Sequence, residues 1–166
     1  VQRTPKRLRA TAVQSGVKSL GVGKEFTIGV SSGGHLLAWG RTWGLGNGAK
    51  PDVLEPVALD LEPRWVMCAA GGAHGAAVDT NGQVYTFGPG TPGFFKSGGA
   101  LGHGDKEAYD TPTLVESFRS YGALATSVSC GDKHTLILTD DGELLACGVG
   151  EYGRLGTGDS GDELTP

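Results

Sequence analysis

The sequence predicts an all-β fold of short antiparallel strands, laid out as three consecutive repeats of about fifty residues. Three observations carry that reading. Thirty of the 166 residues are glycine and eight are proline, which makes long helices costly. Apolar residues still make up 38% of the chain, enough for a core. The glycines also recur at fixed spacing, which separates the chain from glycine-rich disorder.

The recurrence is exact in its internal spacing. Gly23, Gly34 and Gly40 are matched by Gly71, Gly82 and Gly88, and again by Gly131, Gly142 and Gly148. Three residues after the first glycine stand Phe26, His74 and His134. Just before the last stand Trp39, Phe87 and Cys147. A second block follows each time: Gly44 to Gly48, Ala100 to Gly104 and Arg154 to Gly158, each with Leu-Gly-x-Gly. Proline marks the ends at Pro5, Pro56, Pro112 and Pro166, giving repeats of approximately 5–55, 56–111 and 112–166 in one domain over 1–166.

Each repeat has readable local physics. Asn81-Gly82 and Asp141-Gly142 predict type I′ hairpin turns, which need positive φ at both central residues. Ser32-Gly33-Gly34 takes the same place in the first repeat. Short apolar runs flank each turn, at 26–30 and 36–39, 75–78 and 84–87, and 135–138 and 144–147. Upstream runs at 17–22, 66–70 and 125–130 add a third strand. Runs after the prolines, at 7–10, 57–61 and 113–118, add a fourth. Four short strands per repeat describe a propeller blade.

Glycine, two residues, histidine, seven residues, glycine, then an aromatic-glycine and Leu-Gly-x-Gly-Asp resembles the regulator of chromosome condensation repeat. The third repeat is closest, through Gly131, His134 and Gly150 to Asp159, although Cys147 replaces the aromatic. The first departs most, with Phe26 for histidine and Ala49 for aspartate. The resemblance implies a β-propeller of about three four-stranded blades, part of a larger ring that usually has seven. It also implies that His74, His134, Asp105 and Asp159 are structural repeat positions, like the nine glycines above. The open edges of such an arc are expected to be covered by the remainder of a propeller or by neighbouring chains.

Charged residues are 19% of the chain and the net charge is −4, which argues against a nucleic-acid-binding field. The exception is Arg3, Lys6, Arg7 and Arg9, read as a solvated end. There is no apolar run of membrane length and no signal-peptide pattern. Val1 in place of methionine is read as the mark of an excised piece. Cys68, Cys130 and Cys147 are odd in number with no Cys-x-x-Cys pair, which predicts reduced thiols in a cytoplasmic or nuclear setting.

Several motifs imitate chemistry. Gly29 to Gly33 fits G-x-S-x-G, but the register puts a hairpin where a nucleophile elbow needs a helix. Gly148 to Gly153 fits G-x-G-x-x-G, again with no helix to follow. Cys68 with His74, and Cys130 with His134, are too few for a zinc site. The two histidines are expected to bond backbone between strands instead. Asp105 and Asp159 are expected to cap turn amides, and His103 to face solvent. Trp39 is expected to pack; Trp65 reads equally as core or anchor. No cofactor and no catalytic residue is expected.

The individual feature is an insertion in the second repeat, within residues 89–99. Insertions of this kind map to loops, and loops carry function on a rigid scaffold. Phe94, Phe95 and Lys96 there, with Trp43 in the first repeat, are the candidate partner-binding residues. The sequence therefore predicts a non-catalytic protein-interaction scaffold. Two alternatives stand beside it. One is a guanine-nucleotide exchange factor for a Ran-like small GTPase, with Arg3 to Arg9 touching chromatin. The other is a structural subunit of a large assembly.

Overall fold

The computed structural model describes residues 8, 10–41, 46, 52–89 and 98–166. Their alternation of apolar and polar residues folds them into three antiparallel sheets. The first runs β1 (Val17–Val22), β2 (Phe26–Ser31), β3 (Leu36–Gly40) and β4 (Val53–Leu59) in chain order. The second repeats that order with β5 (Trp65–Ala70), β6 (Gly75–Asp79), β7 (Val84–Gly88) and β8 (Tyr109–Leu114). The third holds β9 (Ala125–Cys130), β10 (His134–Thr139) and β11 (Leu144–Gly148). Glu163 bridges Gly148 where a fourth strand would lie.

Two strand expectations are corrected. The strand expected over 113–118 lies earlier: β8 ends at Leu114, and a short helix, α1 (Glu116–Tyr121), takes the remainder. Its turn carries Phe118 inward to 1% exposure, between the second and third sheets, and Gly122 ends it at φ +92°. In the first repeat, Leu8 and Ala10 lie in no strand; Arg7 and Arg9 fall outside the described residues. The strand expected over 57–61 begins earlier, at Val53, and contains Pro56. It is an outer strand, where a missing N–H is tolerated.

The hairpins are also of another type. Gly82 has φ +72° but Asn81 does not share it. Gly82 N–H reaches Asp79 C=O at 3.1 Å, and Asp79 N–H reaches Gln83 C=O at 3.0 Å. This is a three-residue loop closed by a left-handed glycine rather than a type I′ turn. Ser31 to His35 and Thr139 to Glu143 repeat the same two bonds. In all three, the side-chain oxygen ahead of the turn accepts an N–H four residues on: Ser31 from His35, Asp79 from Gln83, Thr139 from Glu143.

Glycine is required at the head of each second strand. A Cβ on Gly71 would lie 2.6 Å from His74 Cε1, and one on Gly131 would lie 2.0 Å from His134 Cε1. The ring three residues on folds back into the space that glycine leaves, which is the physical content of the glycine–histidine spacing.

The core lies between sheets. Phe26, Ile28, Val30 and Leu36 of the first sheet meet Trp65, Cys68, Ala77 and Phe87 of the second. Val78, Val84, Val115 and Phe118 meet Ala125, Val128 and Ile137 at the next joint. Backbone bonds align each joint: Trp65 N–H to Gly34 C=O at 2.9 Å, and Ala125 N–H to Gly82 C=O at 2.8 Å. Ser19 Oγ adds a bond from Cys68 N–H at 3.1 Å to the first joint.

Candidate functional site

The functional residue types of the sequence converge at the joint between the second and third sheets. There the loop at 98–104 crosses from one sheet to the other. The Thr135 hydroxyl, on β10, donates to Ala100 C=O at 2.7 Å. The Thr86 hydroxyl, on β7, donates to Leu101 C=O at 2.6 Å. Two consecutive carbonyls thus tie this loop, a strap over residues 98–104, to two sheets. Its residues Ala100 and Leu101 are buried.

Both hydroxyls have spent their one proton, so a ring nitrogen that meets them must donate. His74 Nε2 lies 2.9 Å from Thr135 Oγ1, and His103 Nε2 lies 2.9 Å from Thr86 Oγ1. Each imidazole is therefore held with its proton on Nε2. His74 bonds a side chain of the next sheet, not the backbone between strands as expected. Burial, with the nearby His134, pushes its pKa down to about 4. His103 is not solvent-facing either. Tyr109 lies against it at 4.0 Å between ring centroids, and Asp105 Oδ2 accepts the Tyr109 hydroxyl at 2.9 Å. Burial lowers the His103 pKa. The sequence shows the two histidines but not the threonines that receive them, because the position of Thr86 holds Ala38 and Ala146 in the other repeats, and that of Thr135 holds Thr27 and Gly75.

Elsewhere the chemical motifs resolve into structure. Ser31, of the G-x-S-x-G match, is buried and caps its turn. Gly148 to Gly153 leads into a 3₁₀ turn over Glu151–Gly153. Asp159 Oδ1 accepts Gly161 N–H at 2.9 Å, and Asp105 Oδ1 accepts Glu107 N–H at 3.0 Å. Trp65 is fully buried, edge-on to Tyr85 at 5.1 Å. Burial pushes the thiols of Cys68, Cys130 and Cys147 up to about 11, 12 and 12. They are poor nucleophiles at neutral pH. Among the described residues no three His, Cys, Asp or Glu side chains gather as metal ligands. No described helix is long and apolar enough to cross a membrane.

Trp43, Phe94, Phe95 and Lys96 lie outside the described residues, as do Arg3, Lys6, Arg7 and Arg9. The second repeat's insertion nonetheless has a described root, since it enters the strap at Gly98 and Gly99, both buried. A separate groove of about 730 Å³ runs along β4 toward Thr111, rimmed by Asp52, Glu55 and Asp60 over Val57 and Leu61. Sequence reading missed it, because it joins the outer strands of two repeats.

Comparison with known proteins places this geometry. The Regulator of chromosome condensation (RCC1) repeat matches residues 81–138 and, in a second form, 125–154. Human E3 ubiquitin-protein ligase HERC2 is 35% identical over 161 residues, covering 92% of this chain and 3% of that protein. The Ultraviolet-B receptor UVR8 of Arabidopsis thaliana is 33% identical over 156 residues, covering 90% of this chain and 33% of the receptor. The chain thus spans a third or less of these relatives. Human WBSCR16 superposes with a TM-score of 0.83 at 23% identity, over 98% of this chain and 42% of the other. Prp20p of Saccharomyces cerevisiae, described with its binding to Gsp1p and histones, superposes at 0.73 and 21%, over 90% of this chain and 37% of that one. The chain is built of RCC1 repeats folded as consecutive blades of a β-propeller.

Proposed function

We propose that the chain is a non-catalytic protein-interaction scaffold that presents its inter-strand loops on stiff, mutually bonded blades. The single observation that carries this reading is the strap. Its buried carbonyls are fixed by Thr86 and Thr135 from two blades, and the longest insertion leads directly into it. The strap is a fixed anchor beside the insertion, and loops on a rigid scaffold carry binding. Phe94, Phe95 and Lys96 are the contacts we assign to the partner, with Trp43 from the neighbouring repeat. The pKa shifts of His74 and His103 follow from burial.

The test is a pull-down from cell extract with the chain and with a Phe94→Ala/Phe95→Ala twin. Partners held by the first and lost by the second support the reading. Equal capture by both overturns the loop as the contact surface. Capture of a nucleotide-free small GTPase, with faster nucleotide release in a direct assay, would replace the scaffold reading with the exchange-factor one.

A further inference from the structure

The first joint lacks the helical turn that the second carries. Leu59 pairs with Leu36 on β3, and Val115 takes the matching place beside Val84, its N–H reaching Val84 C=O at 2.9 Å. After Val115 the chain turns into α1 and sets Phe118 into the joint. After Leu59 it runs through 60–64 to Trp65 with no helix. The outer strands differ as well. Val57 pairs with Ala38 as Thr113 pairs with Thr86. Ala38 belongs to the core between the first two blades, and cross-strand partners share a face, so Val57 turns toward the second blade. It is 39% exposed there.

Val53, Val57 and Leu61 line the groove of about 730 Å³ from the first blade, and Thr111 lines it from the second. Both walls thus belong to this chain, and the volume suits several side chains. Asp52, Glu55 and Asp60 line it too, all exposed, and among the described residues no lysine or arginine does. Glu55 and Asp60 enter no ion pair among the described residues. Carboxylates beside an apolar wall favour a cation with an apolar body. Lysine and arginine are such groups, since their stems pack on apolar surface while the heads stay at the rim. Pro56 breaks the row of N–H donors along β4, so side chains rather than an added strand carry the contact.

We propose that this groove docks an extended basic segment of a partner protein, its lysine or arginine heads on Glu55 and Asp60 and an apolar side chain against Val57 and Leu61. The surface is separate from the insertion within residues 89–99. Each contact is therefore open to loss without the other.

Fluorescence anisotropy of short labelled synthetic peptides on the 166-residue chain tests this. One peptide has arginines flanking leucines, one has serine in place of the leucines, and one has glutamate in place of the arginines. The first is expected to bind, and more weakly as salt rises. Removal of its leucines is expected to weaken binding about tenfold. The variant Glu55→Lys/Asp60→Lys is expected to weaken the first peptide about tenfold and to prefer the glutamate peptide instead. Both side chains are exposed, so the blades fold as before, and that gain of the glutamate peptide separates charge reversal from misfolding. A first peptide that fails to bind the chain overturns the proposal. Equal binding of the serine peptide reduces the contact to a charged surface and overturns the groove. Binding that charge reversal leaves unchanged places the peptide elsewhere and overturns it too.

Discussion

The two joints of the molecule solve one packing problem with different chemistry. At the second joint the register positions hold His74, Thr135 and Cys147; at the first they hold Phe26, Gly75 and Phe87. The polar joint spends a hydrogen bond on the imidazole and fills the remaining space with the strap. In the apolar joint Gly75 leaves room that the Phe87 ring takes: a Cβ at Gly75 would come within 2.5 Å of that ring. The three positions therefore change together. An imidazole buried without its hydroxyl costs a desolvated polar group, and a large ring beside threonine would not fit.

The largest way to break the comparison is to empty the apolar joint. Phe87→Ala is expected to cost about 3–5 kcal/mol, because a fully buried ring leaves a cavity against Phe26 and Ile28. Cys147→Ala at the same register position should cost far less. Urea unfolding of both variants measures the difference.

The second test is pH. Burial takes the His74 pKa from 6.5 down to about 4 on folding, with His134 adding to the fall and Asp132 opposing it. Above the unfolded value both states are neutral and nothing is lost. As pH falls below about 6.5, the unfolded state takes up a proton that the folded state refuses, so stability declines until about pH 4. The full loss is about 3 kcal/mol for a shift of this size. Denaturation across that range should show it in the chain. The double variant His74→Phe/Thr135→Gly, which copies the first joint, should be nearly flat apart from the contributions of His103 and His134.

A smaller effect sharpens the polar pair itself. Thr135→Val removes the acceptor of His74 and the donor to Ala100, and is expected to cost about 1–3 kcal/mol. Combined with His74→Phe, the losses should fall short of additive by about 1 kcal/mol in a double-mutant cycle. Additive losses would mean that the histidine is held by packing alone. Smallest of the set, Ser19→Ala at the first joint should cost about 1 kcal/mol by freeing Cys68 N–H.

How far the sequence could be read follows from which groups carry each feature. The strands and hairpins were legible because alternation and spaced glycines are side-chain patterns. The turn type was misread, because Asn-Gly serves both two-residue and three-residue loops and the choice lies in backbone bonds to Asp79. Residues 113–118 passed for a strand because one helical turn with a single inward ring has too little period to show. The strap left no trace, since its acceptors are the carbonyls of Ala100 and Leu101. The histidine–threonine pair was present in the sequence, but only for a reader who compares one repeat with the next residue of its successor. The contacts of Trp43, Phe94, Phe95 and Lys96 remain proposals from the sequence.

The carbonyls of Gly34 and Gly82 bear on how the chain acquires its shape over time. Each belongs to a hairpin completed about thirty to forty residues before the strand it receives has emerged. A blade can close on local contacts and then serve as the edge on which its successor is laid down. Assembly of this kind proceeds in the direction of synthesis, each step waiting on one neighbour. A lesion at Gly82 should therefore slow the docking of the third blade while the first and second form at their usual rate.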